Sequence, residues 1–193
     1  MALRWLSSST KTLNPQEISK FNALSHQWWD RQGPLKLLHH MNPLRLSFIE
    51  SFTKLHQSQV LDIGCGAGIL SEAMARKGAL VTGVDAAPLN VQVAQHHASL
   101  DPDLDINYSC TLIENMKLQS HYDVVTALEV LEHVDQPLEF IQNCARTLKP
   151  SGYLFLSTIN QTLLAYLGTI LVAEHVLKMV PKGTRKSLIF SFQ

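Results

Sequence analysis

Short apolar runs alternate with mixed apolar and polar segments through the middle of the chain. The apolar runs predict strands at residues 60–63, 80–84, 106–109, 122–128 and 153–157. The segments between them predict helices at residues 69–77, 88–99 and 137–148. Strands that alternate with helices indicate a parallel sheet covered on both faces, which is an α/β fold. Right-handed crossovers then bring the carboxyl ends of all the strands to one edge of the sheet.

The first strand runs into a glycine-rich turn, Gly64-Cys65-Gly66-Ala67-Gly68, which Asp62 precedes. Glycines let a backbone turn sharply and approach a ligand, and the next helix directs free N–H groups and its positive dipole end to that ligand. The second strand ends at Asp85, about twenty residues beyond Gly64, where a carboxylate can accept both ribose hydroxyls of an adenosine. Together these features favour a nucleotide site over a simple tight connection.

The spacing of the glycines indicates which nucleotide binds. Dinucleotide sites use G-x-G-x-x-G, whereas the third glycine here comes one residue early. The turn resembles the first motif of the Rossmann-like S-adenosylmethionine-dependent methyltransferases. Their methyl donor has no pyrophosphate, and its ammonium group favours a nearby acid such as Asp62. A nicotinamide oxidoreductase is the weaker alternative.

Charge and composition restrict the possible partners. The 193 residues include 16 Lys and Arg and 16 Asp and Glu, so the formal net charge is zero and gives no basis for nucleic-acid binding. Residues 1–13 contain Arg4, Lys11 and a hydroxylated run but no acid, which fits either a mitochondrial transit segment or a disordered tail. The histidine pair His96-His97 is predicted to be solvated.

Two helix starts are predicted before the first strand, at Asn14-Pro15 and Asn42-Pro43, where a capping residue precedes proline. The first of these helices ends in Trp28-Trp29-Asp30, and its tryptophans either dock the helix on the domain or help to cover the active site. Arg45 is expected in the first turn of the second helix, where the dipole disfavours a cation. Its partner is therefore a carboxylate, either at the methionine end of the donor or in a surface ion pair.

The fourth strand ends in Leu128-Glu129-Val130-Leu131-Glu132-His133. On a helical turn, Glu129, Glu132 and His133 face one way and can hold a divalent metal, Mg²⁺ for the carboxylates or Zn²⁺ or Fe²⁺ for the imidazole. The alternative is that this segment only caps the next loop. Spacing alone favours the alternative.

Longer motifs identify the family that the chain resembles. They are Glu17-Ile18-x-Lys20-Phe21, Trp28-Trp29-Asp30, Leu38-His39, Asn42-Pro43-Leu44-Arg45-Leu46, Val60-Leu61-Asp62-Ile63-Gly64-Cys65-Gly66, Glu132-His133-Val134, Ser157-Thr158-Ile159-Asn160 and Met179-Val180-Pro181-Lys182-Gly183-Thr184. Across this span the sequence resembles the ubiquinone biosynthesis O-methyltransferases, which methylate polyprenylated catechols. The resemblance implies S-adenosylmethionine as the donor and Mg²⁺ as the metal.

The resemblance also implies roles for individual residues. The donor contacts are Arg45, Gly64, Asp85 and Leu128, and the Mg²⁺ ligands are Glu129, Glu132 and His133. The expected mechanism is chelation of both catechol oxygens by the metal, which would lower the phenol pKa, and His133 is the candidate catalytic base for the alternative reaction without metal. The implied substrates are 3,4-dihydroxy-5-polyprenylbenzoate and demethylubiquinol. In eukaryotes the implied location is the matrix side of the mitochondrial inner membrane, as a peripheral protein in a multi-subunit ubiquinone-biosynthesis complex.

The segment 163–180 is almost entirely apolar, but its charged residues argue against a membrane span. We interpret it as a helix at the membrane interface or at the entrance for a polyprenyl tail, with a buried helix as the alternative.

The resemblance ends after Thr184, where family members continue into the last two strands of the sheet. We therefore predict a transit or disordered segment at 1–13, a methyltransferase domain at 14–184 that is incomplete at its C-terminus, and a divergent tail at 185–193. The sheet of such a truncated form is expected to leave an apolar edge open. A non-catalytic variant that binds the donor or a biosynthetic complex is the alternative function.

Overall fold

The computed structural model describes residues 19, 25–116, 119, 121–157 and 187–191, the last range for its backbone alone. Its helices are α1 (Lys36–Glu50), α2 (Ile69–Ala75), α3 (Pro88–Ala98) and α4 (Pro137–Thr147). Its strands are β1 (Gln59–Ile63), β2 (Leu80–Asp85), β3 (Ile106–Cys110), β4 (Tyr122–Leu128), β5 (Leu148–Ser157) and β6 (Ser187–Ser191). Short 3₁₀ turns occupy Ser25–Gln27, Ile113–Asn115 and Leu131–His133.

All the described strands form one parallel sheet in the order β3-β2-β1-β4-β5-β6. Successive residues of the central strand β1 enter different cores. Val60 joins Ile49 of α1 and Met74 of α2 in one apolar cluster, whereas Leu61 joins Phe140 of α4 in another. A strand buried on both faces needs an unbroken apolar run, which explains why the sequence revealed it. The predicted α/β fold is confirmed.

The strand order places the ends of β1, β2 and β4 next to one another. β1 pairs with β2 on one side and with β4 on the other, so the chain reverses its direction of progress across the sheet at this point. Ligands of open α/β sheets bind in the crevice that such a reversal creates at the carboxyl ends of the strands. The glycine turn, Asp85 and Leu128 all lie at this crevice.

The helix that precedes β1 differs from its prediction. α1 begins at Lys36, and Pro43 lies inside it rather than at its first position. Asn42 does not cap a helix, because it lies inside α1; its side-chain amide instead donates to the carbonyl of Ile69 at the start of α2, at 3.0 Å. Arg45 is therefore in the second half of α1, away from the N-terminal dipole on which its prediction was based.

The expected open edge beside β5 is not observed. Residues 187–191, assigned to a divergent tail, form β6 and pair in parallel with β5, from Tyr153 opposite Ser187 to Ser157 opposite Ser191. The segment Ser187-Leu188-Ile189-Phe190-Ser191 is rich in strand-forming residues, a signal that the comparison of motifs overlooked.

Other predictions fall outside the described residues. They are the start of the helix at Asn14-Pro15, whose described end is only a 3₁₀ turn at Ser25–Gln27, the segment 1–13, the apolar segment 163–180 and the motifs between 158 and 184. Among the helices that the structure does describe, none combines the length and the apolar character needed to cross a bilayer.

Candidate active site

A cavity of about 260 Å³ opens where β1, β2 and β4 end. The four predicted donor contacts, Arg45, Gly64, Asp85 and Leu128, all line it. Glu129 and His133 also line it, whereas Glu132 is outside its lining. Apolar side chains cover much of the remaining wall, namely Leu35, Leu38, Ile69, Leu112, Ile113 and Phe140. One cavity thus combines a polar side, formed by the strand ends, with an apolar side.

The glycine turn forms the floor of this cavity. Gly64 and Gly66 have φ angles of 69° and 55°, in the left-handed region that side chains disfavour. A Cβ at Gly64 would collide with Val130, and a Cβ at Gly66 would collide with the ring of Trp28. The turn therefore needs glycine for its conformation and for the close approach of these neighbours.

Asp85 lies at the tip of β2 and is fixed by the glycine turn. One carboxylate oxygen accepts the Gly66 N–H at 2.9 Å, and the other accepts the Ala87 N–H at 2.8 Å. Burial raises the pKa of Asp85, while these N–H groups and the side chain of Asn90 act in the opposite direction. The carboxylate faces the cavity, as the assignment to ribose hydroxyls requires.

Asp62 is almost completely buried beneath the same turn, with 3% of its surface exposed. The hydroxyls of Ser71 and Thr126 donate to its two carboxylate oxygens at 2.6 and 2.7 Å. Burial raises the pKa of Asp62 to about 6, although the two hydroxyls lower it. A nearby cation would favour the ionised form, so this acid is suited to the ammonium group of a ligand in the cavity.

Arg45 and Glu129 form an ion pair at the polar side of the cavity. The Glu129 carboxylate also accepts the Ser157 hydroxyl at 2.8 Å, and the Glu129 N–H donates back to the Ser157 oxygen at 3.0 Å. The side chains of Arg45 and Glu129 are 11% and 20% exposed, so water screens the pair only in part. A predicted donor contact is thus joined to a predicted metal ligand, a link that sequence reasoning missed.

The predicted metal ligands are not arranged as expected. Glu129 has a left-handed backbone with φ of 54°, and only Leu131–His133 forms a helical turn, so the three side chains do not align as on one helix. No group of three His, Cys, Asp or Glu side chains in the described ranges is placed to hold a metal ion. Because Arg45 and Ser157 engage Glu129, the ligand set does not fit Mg²⁺ in this arrangement. One carboxylate oxygen of Glu132 is buried without a hydrogen-bond partner among the described residues.

Asn90 is a polar residue of the cavity lining that was not predicted as a site residue. Asn90 is 1% exposed, although it lies in a helix of ordinary appearance. The available signal was its helical spacing with Ala94 and Ala98, which places a polar side chain on the apolar face of the helix shortly after Asp85. Trp28 also lines the cavity, so the interpretation of the tryptophans as a cover applies to Trp28. Trp29 supports the docking interpretation, because its ring stacks on His97 with centroids 3.4 Å apart.

Comparisons with known proteins agree with this geometry. Residues 16–185 match the family described as "Methyltransferase domain". Magnesium protoporphyrin IX methyltransferase from Synechocystis PCC 6803, crystallised with S-adenosylhomocysteine, has the same fold, with a TM-score of 0.62 and 23% identity over 80% of this chain and 78% of that chain. Fold, glycine turn and family match define an S-adenosylmethionine-dependent methyltransferase and do not support the nicotinamide alternative.

Curated relatives show which family of methyltransferases the chain belongs to. The ubiquinone biosynthesis O-methyltransferase of Idiomarina loihiensis is 50% identical over 182 residues, which cover 93% of this chain and 74% of the relative. The corresponding protein of Paracidovorax citrulli is 46% identical over 183 residues, with 94% and 77% covered. The chain belongs to the family of ubiquinone biosynthesis O-methyltransferases, which confirms the resemblance.

Proposed function

We propose that the protein transfers a methyl group from S-adenosylmethionine to a catechol hydroxyl of 3,4-dihydroxy-5-polyprenylbenzoate and of demethylubiquinol. The observation that carries the proposal is the single cavity in which the glycine turn and Asp85 lie beside His133 and an apolar wall. The polar side suits the donor, and the apolar wall suits a ring that carries a polyprenyl chain. The names of the relatives support the same substrate class.

The donor is bound by groups at the strand ends. The ribose hydroxyls donate to Asp85, and the nucleoside rests on the glycine turn. The ammonium group lies near Asp62, and the carboxylate binds the guanidinium of Arg45. Since Arg45 pairs with Glu129 in the structure, the donor carboxylate either shares that guanidinium or replaces Glu129 on it.

The acceptor requires a base. A sulfonium methyl is already activated, but a phenol with a pKa near ~10 supplies little phenolate at neutral pH. The imidazole of His133 lines the cavity and takes the phenolic proton as the oxygen attacks the methyl carbon. The carbon–sulfur bond breaks, its electron pair stays on sulfur, and S-adenosylhomocysteine leaves.

Mg²⁺ has no step in this mechanism, because its predicted ligands do not form a site as they are placed. A site at Glu129, Glu132 and His133 requires Arg45 to leave Glu129 first. Methyl transfer by purified protein treated with EDTA tests the metal assignment. Loss of activity that Mg²⁺ restores would support it, whereas unchanged activity would leave His133 as the base.

A radiolabelled methyl assay on a short-chain catechol tests the function itself. We expect transfer by the wild-type chain and a loss of at least about a hundredfold in His133→Ala, the usual contribution of a general base. Binding of S-adenosylhomocysteine without any transfer would instead support the non-catalytic alternative.

For the cellular setting we propose peripheral attachment to the matrix side of the mitochondrial inner membrane, within a multi-subunit ubiquinone-biosynthesis complex. A polyprenylated substrate remains in the bilayer, and the composition of residues 1–13 suits mitochondrial import. Sedimentation with anionic liposomes tests the membrane contact. Protein that stays in the supernatant, with or without residues 163–180, would contradict it.

A further inference from the structure

The indole of Trp28 is connected to the ribose-binding acid through a single side chain. Its ring lies over Gly66 at the wall of the cavity, and its N–H donates to the side-chain oxygen of Asn90 at 2.9 Å. The Trp28 carbonyl is held in turn by the His39 ring at 2.7 Å. Trp28 is therefore fixed at both its backbone and its ring.

The chemistry of these groups gives the connection a direction. An indole N–H can only donate, so Asn90 must present its carbonyl oxygen to Trp28. The amide NH₂ is then left for Asp85, which lines the same cavity and whose pKa the Asn90 side chain lowers. Because Asn90 is 1% exposed, water has little access to replace either partner. Trp28 thereby anchors the oxygen end of the Asn90 amide while its NH₂ end faces Asp85.

We propose that Trp28 is a donor-positioning residue that acts through Asn90 to hold the Asp85 carboxylate in the orientation that accepts the ribose hydroxyls. This inference rests on the proposed function, in which Asp85 binds the ribose of the donor. Without the indole N–H, the Asn90 amide loses the contact that fixes its position, so its NH₂ is no longer held against Asp85. The carboxylate then loses one of its three fixed donors, the others being the N–H groups of Gly66 and Ala87.

Trp29 provides a matched control within the same segment. Its ring is half-buried like that of Trp28, and its N–H also donates to one oxygen, the carbonyl of Ala67 at 3.1 Å. It stacks on His97 rather than linking to Asn90. The substitutions Trp28→Phe and Trp29→Phe therefore each remove one indole hydrogen bond and keep an aromatic ring, but only the first releases Asn90.

Calorimetric titration with S-adenosylhomocysteine and with its 2′-deoxy analogue separates positioning from a general structural effect. We expect Trp28→Phe to weaken binding of S-adenosylhomocysteine about threefold to tenfold, the effect of one buried hydrogen bond. We expect a smaller loss for the 2′-deoxy analogue, which has one hydroxyl fewer for Asp85. Trp29→Phe frees only the Ala67 carbonyl of the glycine turn and not Asn90, so any loss of affinity should be smaller and the same for both ligands. Melting curves for each variant show whether it is folded.

Equal losses for the two ligands, or equal losses in Trp28→Phe and Trp29→Phe, would overturn the proposal. In an Asn90→Ala background, Trp28→Phe should have no further effect on affinity, since residues that act in series are not additive. A full additional loss there would also overturn it. Asp85→Ala tests the proposed function separately. If that variant binds S-adenosylhomocysteine normally, the assignment of Asp85 to the ribose fails, whatever Trp28 does.

Discussion

Asp62 is an acid whose ionised form is disfavoured by its surroundings. Because burial raises its pKa from 3.8 to about 6, the folded protein binds more protons than the unfolded chain between those values. The contribution of Asp62 to the free energy of unfolding therefore falls as the pH rises from about 4 to about 6, by at most about 3 kcal/mol, and stays low above that window.

Replacing this acid should separate stability from donor binding. We expect Asp62→Asn to raise the free energy of unfolding by about 1–2 kcal/mol at pH 7.5 and by little at pH 4, because the amide carries no charge to bury. Affinity for the donor should fall in the same variant, since the ammonium group loses its acid. Urea unfolding at both pH values and calorimetry with S-adenosylhomocysteine measure the two effects.

Asp123 offers a control with the opposite sign. Although burial acts to raise its pKa, hydrogen bonds from Lys149 and Gln59 lower it overall. Asp123→Asn should therefore be less stable than the wild type at pH 7.5, and this deficit should shrink as the pH falls below the ordinary pKa of an aspartate, because the wild type then loses the stabilisation. If both variants respond to pH alike, the burial argument for Asp62 is wrong.

Arg45 pairs with Glu129 in the structure and binds the donor carboxylate in the proposed mechanism. We expect Arg45→Gln to weaken binding of S-adenosylhomocysteine by about tenfold or more, the effect of losing a charge-assisted hydrogen bond. An analogue that lacks the amino-acid carboxylate should lose far less, because it has nothing to place on the guanidinium. Arg45→Lys keeps the charge without the bidentate geometry, so its affinity for S-adenosylhomocysteine should lie between those of the wild type and Arg45→Gln. Equal losses for both ligands would show that Arg45 acts only by holding Glu129.

At the scale of elements, a short chain of contacts attaches the segment 25–35 to helices α2 and α3. Trp29 stacks on His97 of α3, and the His97 ring hydrogen-bonds the fully buried Glu72 of α2 at 2.6 Å. The prediction of a solvated His96-His97 pair was therefore wrong for His97. Periodicity did not reveal this, because both partners of His97 come from other elements.

Loss of His97 should loosen the segment without unfolding the sheet. We expect His97→Ala to speed tryptic cleavage at the exposed Arg31 severalfold, since local opening depends on the few contacts that hold a segment. His96→Ala, at the exposed neighbouring position, is the control and should be cleaved at the wild-type rate. Bound S-adenosylhomocysteine should slow cleavage, because Trp28 of the same segment lines the cavity. Identical rates for the two variants would contradict this attachment.

At the scale of the whole molecule, the sequence was most informative for strands that are buried on both faces of the sheet. The strands β1 and β4 are covered on both faces, so their residues had to form apolar runs. The glycine turn was predictable from the spacing of its glycines. Local rules failed where a distant group intervened. Asn42 was predicted as a helix cap, but its side chain donates to the backbone carbonyl of Ile69. Glu129 pairs with Arg45, which is 84 residues away in the chain. The pattern of apolar and polar residues does not indicate the left-handed backbone conformation of Glu129.

The last strand of the described sheet closes the edge of β5, and its removal should be felt by the entire domain. A chain that ends at residue 186 leaves the β5 backbone from Tyr153 to Ser157 unpaired on one side, and an unpaired edge is a template for another chain. We expect this deletion to lower the melting temperature by about 5–10 °C, through several lost hydrogen bonds, and to cause concentration-dependent association. Light scattering after size exclusion measures the association, and a chain that ends at residue 191 is the control. A monomer with an unchanged melting temperature would show that β6 adds nothing to the sheet.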